Sequence, residues 1–125
     1  MKKLILLFGL LLTLPFVSAK LHSEDIHLSR VRIGDYGLVS RQEMDTYVYV
    51  YNDNPDDWVK SATVSIRIMD ADIYDSSGVF DVKSKRSSGR NMITEHDLAP
   101  GEYLVKISLT ANDIHRTKYR YMTIV

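Results

Sequence analysis

The chain of 125 residues contains no cysteine. That excludes disulfides, cysteine-ligated zinc and thiol catalysis, and leaves packing alone to hold a fold together. It also carries no formal net charge at pH 7, with 16 Lys and Arg against 16 Asp and Glu. Nucleic-acid binding needs a concentrated basic footprint, and attachment to anionic lipid needs a polybasic segment. A balanced chain offers no electrostatic case for either. After residue 19 no stretch longer than a turn has apolar residues at helical spacing. Internal repeats and low-complexity segments are absent as well. The histidines, His22, His27, His96 and His115, lie far apart and show no paired ligand spacing. With no Gly-x-Ser-x-Gly and no evident histidine partner for a serine, nothing supports a nucleophilic triad. The expectation is a protein that is not an enzyme and holds no cofactor.

What is present begins with an export signal. Met1-Lys2-Lys3 is positive, Leu4 to Leu14 is a nearly unbroken apolar run, Pro15 breaks it, and Val17-Ser18-Ala19 offers small residues at the peptidase positions. That is the pattern of a secretory signal peptide over residues 1–19. The run of 11 residues is short for a bilayer, which takes roughly 20; an uncleaved membrane anchor is the other reading. No Cys follows it, so it is not a lipoprotein signal. Cleavage after Ala19 leaves residues 20–125, with 14 basic against 16 acidic residues, near −2. That is one domain's worth of chain, long enough to bury a core without staples. The expected location is secreted or at the cell surface, with no transmembrane segment after cleavage.

The mature part reads as strands. Leu98 to Leu109 opens on the turn Pro100-Gly101, then alternates, with Tyr103, Val105, Ile107 and Leu109 on one face and Leu104, Lys106 and Ser108 on the other. Met44 to Tyr51 places Val48 and Val50 on one face and Tyr47, Tyr49 and Tyr51 on the other. Ala62 to Met69 turns Val64, Ile66 and Ile68 inward. Asp25 to Ile33 is a first, edge strand whose apolar phase shifts after Leu28, which predicts a bulge. Arg116 to Val125 is the last strand. Asp70 to Arg90 is the least regular part, with Lys83 to Arg90 a mobile loop, Asn91 to Glu95 a short strand, and Trp58-Val59 an apolar plug. Several short strands separated by turn clusters predict an all-β fold, an antiparallel β-sandwich of about seven strands over residues 20–125.

A Tyr just after a Pro-Gly corner, at the mouth of an alternating strand, resembles the tyrosine corner of immunoglobulin-like sandwiches. With Leu98, Pro100, Gly101, Tyr103, Val105 to Ser108, the Tyr47–Tyr51 strand ending at Asn52, and Val64 to Ile68, the chain is similar to immunoglobulin-like and fibronectin-III-like domains of exported prokaryotic cell-surface proteins, including the CARDB type. The resemblance implies a sandwich in which Tyr103 locks a corner and Val105 stands where antibody domains place a cysteine. It implies adhesion, spacing or ligand presentation, with a cell-envelope protein or glycan as partner.

Four groups of residues are candidates for function. Tyr47, Tyr49, Tyr51, Tyr119 and Tyr121 would form an exposed platform for a sugar or a partner, or simply cover a sheet. Asp70, Asp72 and Asp75, with Asp53, Asp56 and Asp57 in the preceding turn, would hold Ca²⁺ or merely make turns. Lys83, Lys85, Arg86 and Arg90 would dock an anionic partner or be a solvated loop. The histidines show no metal pairing. The leading expectation is an exported, non-enzymatic binding or structural module. The alternatives are a carbohydrate-binding accessory domain using the tyrosine face, a strand-exchanging assembly subunit, and a small exported enzyme, which would need a deep pocket.

Overall fold

The computed structural model describes residues 23–125; the signal peptide expected at 1–19, and His22, lie outside them. A single 3-10 turn, Ser23–Asp25, leads into β1 (Ile26–Ile33), β2 (Leu38–Val39), β3 (Glu43–Asn52), β4 (Val59–Ile68), β5 (Ile73–Val82), β6 (Arg86–Glu95), β7 (Gly101–Ala111) and β8 (Ile114–Ile124). They form a three-stranded sheet, β1-β3-β6, and a five-stranded sheet, β2-β8-β7-β4-β5. All pairings are antiparallel except β2 with β8. This is an immunoglobulin-like β-sandwich. The strand in excess of the expected count is β2, whose two residues are too few for periodicity to register.

The core follows from alternation. In β3, β4 and β7 the inward positions are mostly apolar, the buried Thr46 and Asn52 of β3 being polar exceptions, and strand geometry sends them to one face. Val48, Val50, Val64, Ile66, Ile68, Val105, Ile107 and Leu109 are buried together between the sheets. Tyr103 packs at the margin of this cluster, and its hydroxyl donates to the Ala99 carbonyl at 2.8 Å, across the corner made by Pro100 and Gly101. The bulge in β1 falls between Leu28 and Arg30.

The chain crosses from one sheet to the other between β1 and β2. Gly34, at φ 57°, gives its N–H to the Asp45 carbonyl at 2.7 Å. A Cβ there would collide with the Leu38 backbone carbonyl, so glycine is required by both conformation and space.

The region from Asp70 to Arg90 corrects the expectation of irregular structure. Ile73–Val82 is a full strand, β5, distorted where β4 shifts register between Thr63 and Ser65. Arg86 to Arg90 is no mobile loop but the first half of β6, which pairs with β3 from Glu43↔Glu95 to Asn52↔Arg86. Ser and Gly have low strand propensity, and tertiary pairing overrides it. β3 supplies the ladder, and Tyr47 and Tyr49 lean over Gly89, where a Cβ would lie 2.5 Å from the Tyr47 hydroxyl.

Trp58 is likewise no plug. It is 46 % exposed with Lys83 Nζ 5.3 Å from its ring, while Val59 takes the buried place. The β3–β4 loop is closed by two asparagines. Buried Asn52 donates to the carbonyls of Asp57 and Val82 and accepts from Asn54 N–H. The Asn54 side chain accepts from the N–H groups of Asp56 and Asp57. These bonds satisfy backbone groups that a loop would otherwise strand.

Candidate functional site

Two outer faces remain once the core is assigned. On the three-stranded sheet the register lines up cross-strand rows. Arg30, Tyr49 and Gly89 form one, Arg32, Tyr47 and Asn91 the next, and His27, Tyr51 and Ser87 a third beyond the bulge. Two arginines and a histidine thus flank a column of tyrosines, with Gly89, Asn91 and Ser87 on the far side. The tyrosines are half-buried. The Tyr47 hydroxyl donates to that of Tyr49 at 3.2 Å, and the two rings meet at 70° with centroids 4.9 Å apart. That bond, then burial, holds the Tyr47 phenol above its ordinary pKa, with Arg32 opposing. The Arg32 guanidinium stands 5.9 Å from the Tyr47 ring. At the end of the column, Lys85 Nζ lies 2.7 Å from Asp53 Oδ1, and the Tyr51 hydroxyl also reaches that carboxylate. The ammonium lowers the Asp53 pKa and the carboxylate raises that of Lys85. Arg30, Val31, Arg32, Tyr47 and Tyr49 line an open groove of about 360 Å³.

The five-stranded sheet presents a different face. One row crosses β7 and β8 through Leu104 and Tyr121, extended by Met69, whose N–H bonds the Leu104 carbonyl. The next row is Tyr74, Arg67, Lys106 and Tyr119. Beyond it the rows turn to Ser and Thr: Ser76, Ser65, Ser108 and Thr117. Tyr121 is 67 %, Tyr74 66 %, Tyr119 49 % and Met69 41 % exposed. Met69, half-buried Leu104, Tyr121 and Tyr119 therefore gather at one end of the sheet, with Arg67 and Lys106 standing between Tyr119 and Tyr74.

The expected platform of five tyrosines is thus not one site. Tyr47, Tyr49 and Tyr51 are on the outside of one sheet, and Tyr119 and Tyr121 on the outside of the other. Alternation within a strand tells inside from outside but not which sheet the strand joins, so the sequence offered no means of separating them. The two acidic sets also part. Asp53, Asp56 and Asp57 precede β4, and Asp70 and Asp72 follow it, at opposite ends of a ten-residue strand. Asp75 is engaged by Thr94 Oγ1 at 2.8 Å and by Ser76 N–H. Among the described residues no three His, Cys, Asp or Glu side chains are grouped to hold a metal ion. Of the basic set, Lys85 pairs with Asp53, Lys83 approaches Trp58, and Arg90 stacks 4.1 Å from the Phe80 ring.

Sequence reasoning missed Leu104, Met69 and Tyr74, whose outward phase was legible but whose alignment in rows depends on register. It also missed the approach of β1 to β8, which brings Arg32 and Arg120 into one groove with Tyr36 and Tyr121. Among the described residues no helix is long and apolar enough to cross a membrane.

No family model and no curated protein matches this chain. Among solved structures it is similar to the C-terminal domain of Wzt, with a TM-score of 0.62 and 14 % identity over 81 % of this chain and 74 % of that one. It is also similar to the Pseudomonas fluorescens alkylpurine DNA glycosylase AlkC bound to DNA containing an abasic site analogue. There the TM-score is 0.56 and the identity 8 %, over 80 % of this chain and 30 % of that one. At such identities the likeness is one of fold.

Proposed function

We propose that the protein is an exported, non-enzymatic binding module of the adhesion type, displayed at the cell surface or secreted, which engages an envelope protein through the outer face of its five-stranded sheet. The observation that carries this reading is the row of exposed Met69, half-buried Leu104 and exposed Tyr121, with exposed Tyr74 and Tyr119 in the next row. Large contiguous apolar patches on a soluble surface mark interaction sites, whereas scattered apolar residues do not. Tyrosine supplies wide contact area at a low entropy cost and keeps a polar tip for the rim. Lys106, between Arg67 and Tyr119, asks for a carboxylate on the partner. The CARDB-type affiliation belongs to the same reading, supported by the Tyr103 corner and the Asn52 loop.

A photo-crosslinking amino acid placed at Tyr121 and, separately, at Ile93 on the opposite sheet tests it in cells producing the protein. One discrete adduct from position 121, absent from position 93 and lost on Leu104→Glu, is the expected result. Equal adducts from both positions, or none from 121, would refute the interface.

A second reading, glycan recognition, draws support from the other sheet, where Arg30, Arg32, Tyr47 and Tyr49 line a groove.

A further inference from the structure

The inner side of β8 is apolar only at its ends. Ile114, Met122 and Ile124 are buried, but the positions of the same phase between them are Arg116, Lys118 and Arg120. The reason is topological. β8 lies beside β1 across the open side of the sandwich, and no ladder joins the two. Long cationic side chains lie along such a margin with their stems covered and their heads in water. β1 brings Arg30 and Arg32 to the same margin from its outer face. Arg32 and Arg120 line one groove, Arg30 and Arg32 the next, and Lys118 a third beside Leu28. Glu24 closes the far end, near Arg116, which bonds the Ile26 carbonyl at 3.0 Å.

None of Arg30, Arg32, Lys118 and Arg120 has a carboxylate partner among the described residues. Arg120 reaches only the carbonyl of its neighbour Tyr119, at 2.8 Å, and Arg32 only the Tyr47 ring. In a chain with as many acids as bases, four unpaired cations along one margin are a local excess. Like charges within a Debye length of about 8–10 Å repel, so the arrangement lacks its counter-charge.

We infer that this β1–β8 cleft binds an anionic polysaccharide chain, with Arg30, Arg32, Lys118 and Arg120 pairing with carboxylate or sulfate groups repeated along it. The inference rests on the glycan reading above and is independent of the five-stranded face. Charges two residues apart on a strand repeat every ~6.6–6.8 Å, which suits a chain carrying charge at intervals better than a single small anion. Guanidinium groups grip carboxylates and sulfates through paired N–H donors. The hydroxyls of Tyr47 and Tyr49, with Ser29 and Ser87 in the adjoining groove, face sugar hydroxyls. Single-stranded nucleic acid fits less well, because base binding uses free aromatic faces and these two rings are turned edge to face. A flat bilayer does not fit a cleft.

The test is affinity electrophoresis and calorimetry of the protein with polygalacturonate, dextran sulfate, uncharged dextran, oligo(dT) and anionic vesicles. Binding to the two charged polysaccharides and not to dextran is expected, weakening as salt rises. R30Q should lose about tenfold in affinity, as removal of one charge-assisted contact implies, and the double variant R32Q/R120Q about a hundredfold, both with unchanged melting temperature. R67Q, on the other sheet, should bind as before. Equal binding to dextran would overturn the anionic inference and leave the glycan reading standing. Absence of binding to every polysaccharide would overturn both. Tighter binding to oligo(dT) or vesicles, or wild-type affinity in R32Q/R120Q, would remove the proposed ligand from this cleft.

Discussion

Tyr47 and Tyr49 on one sheet, and Tyr119 and Tyr121 on the other, are pairs of the same residue at the same spacing, yet their circumstances differ. The first pair is half-buried, bonded hydroxyl to hydroxyl, and leans over a glycine on the next strand. The second pair is exposed, and Leu104 and Lys106 stand opposite. Tyrosines over Gly89 repair a gap in their own sheet, much as a large ring covers a strand glycine in designed sheets. Tyrosines beside Leu104 extend an apolar surface outward. An identical sequence pattern therefore closes a gap within its own sheet in one place and stands open to solvent in the other, and the cross-strand neighbour decides which.

The largest expected effect lies where the two sheets are joined. Gly34→Ala forces a β-carbon onto the Leu38 carbonyl at a positive φ, and should cost about 2–3 kcal/mol in urea unfolding. A loss below about 0.5 kcal/mol would mean that the crossing relaxes freely and that the two sheets are less rigidly tied than described.

Next comes the contrast itself. Tyr49→Ala should lower stability by about 1–2 kcal/mol through lost ring contact over Gly89. Tyr121→Ser should lie within about 0.5 kcal/mol of wild type. Equal losses would erase the distinction between the two faces.

The smallest effect is a titration. Because the Tyr47 phenol is held above its ordinary value of 10.0 chiefly by the bond to Tyr49, the unfolded chain gives up this proton first as pH rises. Stability from this group is therefore complete below pH 10 and declines above it, through the raised folded pKa. Tyr49→Phe should return the Tyr47 titration, followed by tyrosinate absorbance, toward 10.0 and flatten the alkaline decline. A Tyr47 titration unchanged by that substitution would show that the hydroxyl bond does not form in solution.

How much of this was legible depends on what each strand is made of. β3, β4 and β7 declared themselves because β-branched and aromatic residues alternate with polar ones. The Pro100-Gly101-x-Tyr103 corner was readable because its chemistry is local, a hydroxyl reaching a carbonyl four residues back. β6 was hidden because Arg86 to Arg90 contains nothing that prefers a strand, and only the presence of β3 alongside makes it one. β5 was hidden by its Ser-Ser-Gly centre and its bulge. The cleft between β1 and β8 joins residues some ninety positions apart. No periodicity states that β8 will lie next to Arg30 and Arg32.

The free margin of β8 also bears on how copies of the chain meet one another. β2 covers this strand only at Thr123 and Ile124, so most of its free margin offers backbone donors and acceptors of the kind that recruit foreign strands. Lys118 and Arg120, set toward the interior on that margin, would have to be stripped of water before another chain could zip onto it. Cations so placed oppose edge-to-edge pairing of copies into fibres.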